Sequence, residues 1–180
     1  MKKGFTLIEL LIVIAILAIL ATTVVLVLNP AQLLAQARDT QRISDLDSLK
    51  SAIAVYLTTA TSPTLTAGPY STADAVCGFT TCTVTTSTVV TGGGWVAVDL
   101  SASSGGSPLA VLPLDPTNSA VYQYAYKGDD TNKTFELNAR LESTKYRDEM
   151  TNDGGDKNTC SSYTESTCYY ELGTDSGLDL

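Results

Sequence analysis

The chain has 180 residues, with 11 Lys and Arg against 19 Asp and Glu, and no histidine. A net charge of −8 argues against nucleic acid as a partner, because phosphate contact needs clustered cations. The missing histidine removes the commonest general base and metal ligand, together with every Ser-His or Cys-His nucleophile pair, so the composition speaks against an enzyme.

The first predicted element is a membrane span. Residues 5–28 are apolar or small apart from Glu9, and about 20 such residues cross a bilayer. Lys2 and Lys3 ahead of it form a short basic head that stays on the cytoplasmic side. A carboxylate inside a membrane segment is costly and marks function, so Glu9 needs a partner. Gly4 is the only small residue where the basic head meets the apolar run. A cut after Gly4 would free an amine on Phe5, close enough in sequence to neutralise Glu9. The same amine on a neighbouring copy would also fix the stagger between copies, since a buried ion pair penalises the wrong register. A signal anchor or a cleaved secretory signal is the plainer alternative. Loss of Lys2 and Lys3 with the leader would take the side-chain charge from −8 to −10.

Asn29-Pro30 interrupts the run, either as a kink or as the start of a new helix at Pro30. Residues 29–60 then read as an amphipathic continuation. Ile43, Leu46, Leu49, Ile53 and Leu57 recur at helical spacing on one face, while Arg38, Asp39, Arg42, Asp45, Asp47 and Lys50 fall on a solvated or subunit-facing surface. A continuous helix over residues 5–59 would be about 80 Å long. One small domain cannot cover that length, so lipid or other copies must sheath its N-terminal half.

Residues 61–107 are a Ser/Thr/Gly-rich connecting region, opened by the turn signals Ser62-Pro63 and Gly68-Pro69. Cys77 and Cys82 enclose four residues, a spacing that suits a disulfide in an exported protein. Residues 83–91 are weakly strand-like, and residues 95–98 form a short extended piece. The Gly/Ser loop at 101–107 lacks the lysine of a phosphate cradle. The apolar segment 108–116 is expected to pack across the helix. Residues 121–127, with Tyr122, Tyr124 and Tyr126, and residues 134–141, with Phe135, Leu137 and Ala139, alternate at period two and predict an antiparallel hairpin. In residues 144–180, Cys160 and Cys168 are expected to form a second disulfide that clips a weakly apolar loop. Asp148, Asn152, Asp153 and Asp156, with Asn158 nearby, surround Gly154 and Gly155. Such oxygens suit calcium, although the spacing is not that of an EF-hand and Asp-Gly-Gly-Asp is also ordinary turn chemistry.

The N-terminal stretch KKGFTLIELLIVIAILAILA resembles the class III leader and N-terminal helix of type IV prepilins and type II secretion pseudopilins. The resemblance implies that a membrane peptidase cuts between Gly4 and Phe5, that Phe5 is methylated, and that Glu9 pairs with an adjacent N-terminus. LPLDP, the tyrosine-rich strand and TFELNARLES, within residues 108–143, resemble the sheet region of the major pseudopilin type, whose members often hold calcium in a C-terminal loop. That type often carries a proline a few residues earlier in the helix, where this chain has Leu26.

The implied fold is a pilin-like α+β, with a long N-terminal helix packed on a small antiparallel sheet. Residues 1–4 are the leader, 5–28 the transmembrane and filament-core helix, and 61–180 the exported globular domain. The implied function is a structural subunit of a type IV pilus-like or type II secretion pseudopilus filament. Its partners would be copies of itself and other pilins, the prepilin peptidase/methyltransferase, the inner-membrane assembly platform and the membrane. Before assembly it would be a single-pass cytoplasmic membrane protein with its C-terminal domain outside the cytoplasm. The rival is a monomeric, membrane-anchored extracytoplasmic ligand-binding protein. Glu9 discriminates, because a monomeric anchor gains nothing from it.

Overall fold

A computed structural model describes residues 4–180, so Met1, Lys2 and Lys3 of the expected leader lie outside the described residues. Two helices open the chain, α1 at Leu7–Leu28 and α2 at Pro30–Thr59. Between them Asn29 adopts a left-handed φ of 40°, which asparagine tolerates better than most residues. Pro30 takes the first position of α2, where its missing N–H is no loss. The interruption at Asn29-Pro30 is thus the end of one helix and the start of another. The 22 residues of α1 rise about 33 Å, close to the roughly 30 Å hydrocarbon core of a bilayer.

The sheet has five strands in the order β2-β1-β3-β4-β5. They are β1 at Tyr70–Ser71, β2 at Thr83–Val84, β3 at Ala125–Asp129, β4 at Thr134–Ala139 and β5 at Tyr170–Gly173. The three pairings β1/β3, β3/β4 and β4/β5 are antiparallel. β2 lies parallel to β1, because the loop closed by Cys77 and Cys82 turns the chain back before it pairs. The layout is α+β, with a mixed rather than purely antiparallel sheet.

The expected hairpin is present, with Tyr126 opposite Leu137 and Gly128 opposite Phe135. It begins at Ala125, so Tyr122 and Tyr124 precede the strand. Of residues 83–91 only Thr83–Val84 pairs as a strand. Residues 95–98 are not a strand; Trp95 is fully buried there, and its Nε1–H donates to the Pro113 carbonyl at 2.9 Å. β5 was not anticipated.

α2 lays Leu46, Leu49, Ala52, Ile53 and Tyr56 against Tyr126, Leu137 and Ala139, and Trp95, Leu100 and Leu112 close the core. Ile43 and Leu57, expected in the same stripe, are only partly buried. The larger correction concerns Asp39 and Arg42, expected on a solvated or subunit-facing surface but completely buried within the domain. Arg42 lies one helical turn before Leu46, so its side chain extends the core stripe instead of leaving it. Its guanidinium bonds Asp115 at 2.6 and 3.0 Å, Asp39 at 2.8 Å and Glu142 at 2.7 Å, and it sits 4.8 Å from the Tyr122 ring centroid. Arg38 adds two bonds to Glu142 at 2.6 and 2.8 Å.

Burial works against the charge on Arg42, and the bonds to Asp115, Glu142 and Asp39 outweigh it, so its pKa is raised. Burial likewise pushes the Glu142 carboxyl up, but Arg38 and Arg42 reverse this and hold it below the ordinary carboxylate range. Arg42→Ala should strand Asp39 and Asp115 as buried anions and cost about 3–5 kcal/mol. Denaturant unfolding of the full chain in detergent micelles measures this; an unchanged midpoint would show that the network adds nothing to stability.

Candidate functional site

The N-terminal end of α1 carries the residues that the leader singles out. Residues 4–6 lie ahead of the helix without regular structure, Thr6 is extended, and the helix starts at Leu7. Thr6 caps it through a reciprocal arrangement with Glu9, a capping box. The Thr6 N–H donates to Glu9 Oε2 at 2.8 Å, the Thr6 hydroxyl donates to the same oxygen at 2.6 Å, and the Glu9 N–H returns to Thr6 Oγ1 at 3.3 Å. In a single chain, therefore, Glu9 already has a partner. Thr6 was not singled out from the sequence, although Thr-x-x-Glu ahead of an apolar run is the sequence signature of this cap.

Among the described residues, nothing requires glycine at position 4. A Cβ built on Gly4 meets no atom within 4 Å. Phe5 is 81% exposed, and every described side chain of α1 faces outward. The helix is long and apolar enough to cross a membrane, and the α+β domain covers none of its apolar span.

Both cysteine pairs are disulfides, Cys77 to Cys82 and Cys160 to Cys168. Arg140 fastens the second loop. It is almost fully buried, lies 4.3 Å from the Tyr169 ring centroid, and donates to the carbonyls of Val121, Glu165 and Cys168.

The candidate calcium residues do not converge. Asp153 spends one carboxylate oxygen on the Gly155 N–H at 3.0 Å and the other on the Glu171 N–H at 2.7 Å. Asp156 pairs with Lys157, Asp148 accepts from the Tyr163 hydroxyl at 3.2 Å, and Asn152 donates to the Asp148 carbonyl. Asn158 donates to the Gly155 carbonyl at 3.0 Å. Among the described residues no three acidic or cysteine side chains are grouped to hold a metal. Gly155 lets the backbone turn back and donate its own N–H to Asp153, as in ordinary turn chemistry. An open groove runs along the outer side of α2, lined by Thr40, Ile43, Asp47, Ser51 and Tyr146; it brings together no convergent set of charged groups.

Residues 1–25 match the prokaryotic N-terminal methylation motif, the class III leader of type IV pilins and pseudopilins. The chain joins a long N-terminal helix to an α+β domain and is pilin-like by this motif. No curated protein and no solved structure matches it.

Peptide mapping without reductant should recover two local links, Cys77–Cys82 and Cys160–Cys168. Crossed pairs or free thiols would contradict the loop architecture.

Proposed function

We propose that the chain is the precursor of a structural subunit that is cut after Gly4, methylated on Phe5 and assembled through α1 into a helical filament, either a type IV pilus or a type II secretion pseudopilus. The observation that carries this reading is the contrast at the N-terminus. Gly4 answers no steric need within the molecule, yet it stands inside a matched methylation motif. Open space at a glycine leaves its identity to other demands, and the motif supplies one here: recognition by the peptidase. α1 adds a second argument, since an apolar helix with all its described side chains exposed needs a solvent other than water: lipid first, then other copies of itself.

Glu9 takes part in both states. In the membrane, the Thr6 donors satisfy it. In a filament, the new amine of Phe5 on an adjacent subunit offers a full positive charge, and a charge-assisted bond is roughly twice as strong as a neutral one. The exchange of one partner for the other ties assembly to cleavage, because the amine does not exist before the cut. Before assembly the subunit sits in the cytoplasmic membrane with its domain outside the cytoplasm, and its partners are the prepilin peptidase, an inner-membrane assembly platform and other pilins.

Mass spectrometry of filament material from the native host should find a mature N-terminus at methylated Phe5; assembled subunits that begin at Met1 would overturn the processing. Glu9→Val should insert as well as wild type or better and lose most filament yield. Wild-type yield from that variant would remove charge pairing from the assembly mechanism.

A further inference from the structure

The face of the sheet turned away from α2 is both polar and buried. Glu136 and Asn138 of β4 and Glu171 of β5 lie there, exposed by 0%, 0% and 1%. Asn138 stands directly opposite Glu171, and Glu136 is opposite Gly173. The two glutamates are therefore diagonal neighbours across the strand pair, within reach of each other's long side chains.

One oxygen of each carboxyl receives a backbone N–H. Glu136 Oε2 accepts from Leu180 at 3.1 Å, and Glu171 Oε2 accepts from Lys157 at 2.7 Å. The remaining oxygens, Glu136 Oε1 and Glu171 Oε1, have no partner, and neither does either polar atom of the Asn138 amide. Two ionised carboxylates cannot bond each other, since both only accept. Side by side and out of water, they cannot both keep a full charge.

The surrounding groups relieve this only in part. Lys127 of β3 stands directly opposite Glu136 on the same face, but its ammonium lies over the Phe79 ring, 5.8 Å from the centroid, and forms no ion pair with either glutamate among the described residues. From the loop at residues 153–157, Asp153 and Asp156 bring further negative charge, and Lys157 is paired with Asp156. From the tail at residues 174–180, Asp179 donates its N–H to Asp175 at 3.3 Å. Arg140, next along the same face of β4, is held by carbonyls and the Tyr169 ring. A metal ion also fits poorly. Only three oxygens remain, against the six to eight that calcium takes. The loop backbone presses onto Glu171, where a Cβ on Gly155 would lie 1.9 Å from Oε2.

We propose that Glu136 and Glu171 form a buried proton-binding site: one proton is held between their Oε1 atoms, one carboxyl donates to the other, and the pair carries a single negative charge. The proton keeps the loop at residues 153–157 and the tail at residues 174–180 seated on β4 and β5, since each segment is fastened through one of the two carboxyls. Burial, and then for Glu171 the neighbouring Glu136, Asp153 and Asp156, pushes both carboxyls above the ordinary range.

The folded pair binds a proton that the unfolded chain releases at ordinary carboxylate pH. Stability therefore falls as pH rises from that range through the raised one. The thermal midpoint of the full chain in detergent micelles should drop between about pH 5 and about pH 9. Glu171→Gln and Glu136→Gln, each supplying a permanent N–H donor, should flatten the drop and melt above wild type at the alkaline end. Hydrogen-exchange protection factors at residues 174–180, with the base-catalysed intrinsic rate divided out, should fall with pH in wild type but not in Glu171→Gln. An unchanged slope in both variants would overturn the proposal. So would an alkaline wild-type midpoint restored by calcium chloride and lost again in chelator, which would put a metal where we place the proton. If neither variant folds, carbon-13 titration of glutamate carboxyls in wild type decides it: one carboxyl must titrate well above the others, and uniform titration in the ordinary range refutes the site.

Discussion

The α+β domain depends on the burial of Arg42. A guanidinium placed in a core is costly unless every donor is used and its charge is matched. Here Asp39 comes from its own helix, Asp115 from the segment ahead of β3, and Glu142 from the chain just beyond β4. Three stretches far apart in sequence thus meet at one side chain. The apolar stripe of α2 alone would tolerate a slide by one turn along the sheet, since leucine packs nearly as well one position on. Arg42 finds its carboxylates in one register only. Asp39 deepens the constraint by also accepting the N–H groups of Glu142 and Ser143, so the backbone that leaves β4 is tied directly to the helix.

The chain is written for two solvents, and Asn29-Pro30 marks the border. Before it, α1 shows every described side chain to its surroundings, an arrangement that favours an apolar environment over water. After it, α2 turns one face to a core and the other to water. A left-handed asparagine followed by proline separates the two hydrogen-bond ladders at that border. Each half can then satisfy its own environment. At the far end of α1, the capping box lets a carboxylate enter an apolar helix without leaving its charge unbonded.

Much of this was legible in the sequence. The span, the leader, the hairpin and both cysteine pairs follow from local pattern, because apolar runs, period-two alternation and short Cys spacings depend on near neighbours. The charged residues were misread for a physical reason. Asp39 and Arg42 look like a solvated helix face until Asp115 and Glu142 arrive from other parts of the chain to match them, and that meeting is a tertiary event. Thr6 did carry a local signal in its spacing to Glu9. β5 did not stand out, because its four residues hold a glutamate and a glycine and earn their place only by pairing with β4.

The same logic explains why the back of the sheet resisted reading. In β4, Glu136 and Asn138 alternate with Phe135, Leu137 and Ala139, a pattern that normally means one wet face and one dry face. That face is dry here as well, since the C-terminal loop and tail lie over it. Those segments have too little apolar surface to hold themselves down by burial alone. They are fastened by a covalent disulfide across residues 160–168 and by polar contacts: Arg140 gathering three carbonyls, and backbone N–H groups given to buried carboxyls. A lid fastened in this way answers to proton activity, whereas the core beneath it answers to apolar contact and the Arg42 network, so the two layers of one small domain respond to different conditions.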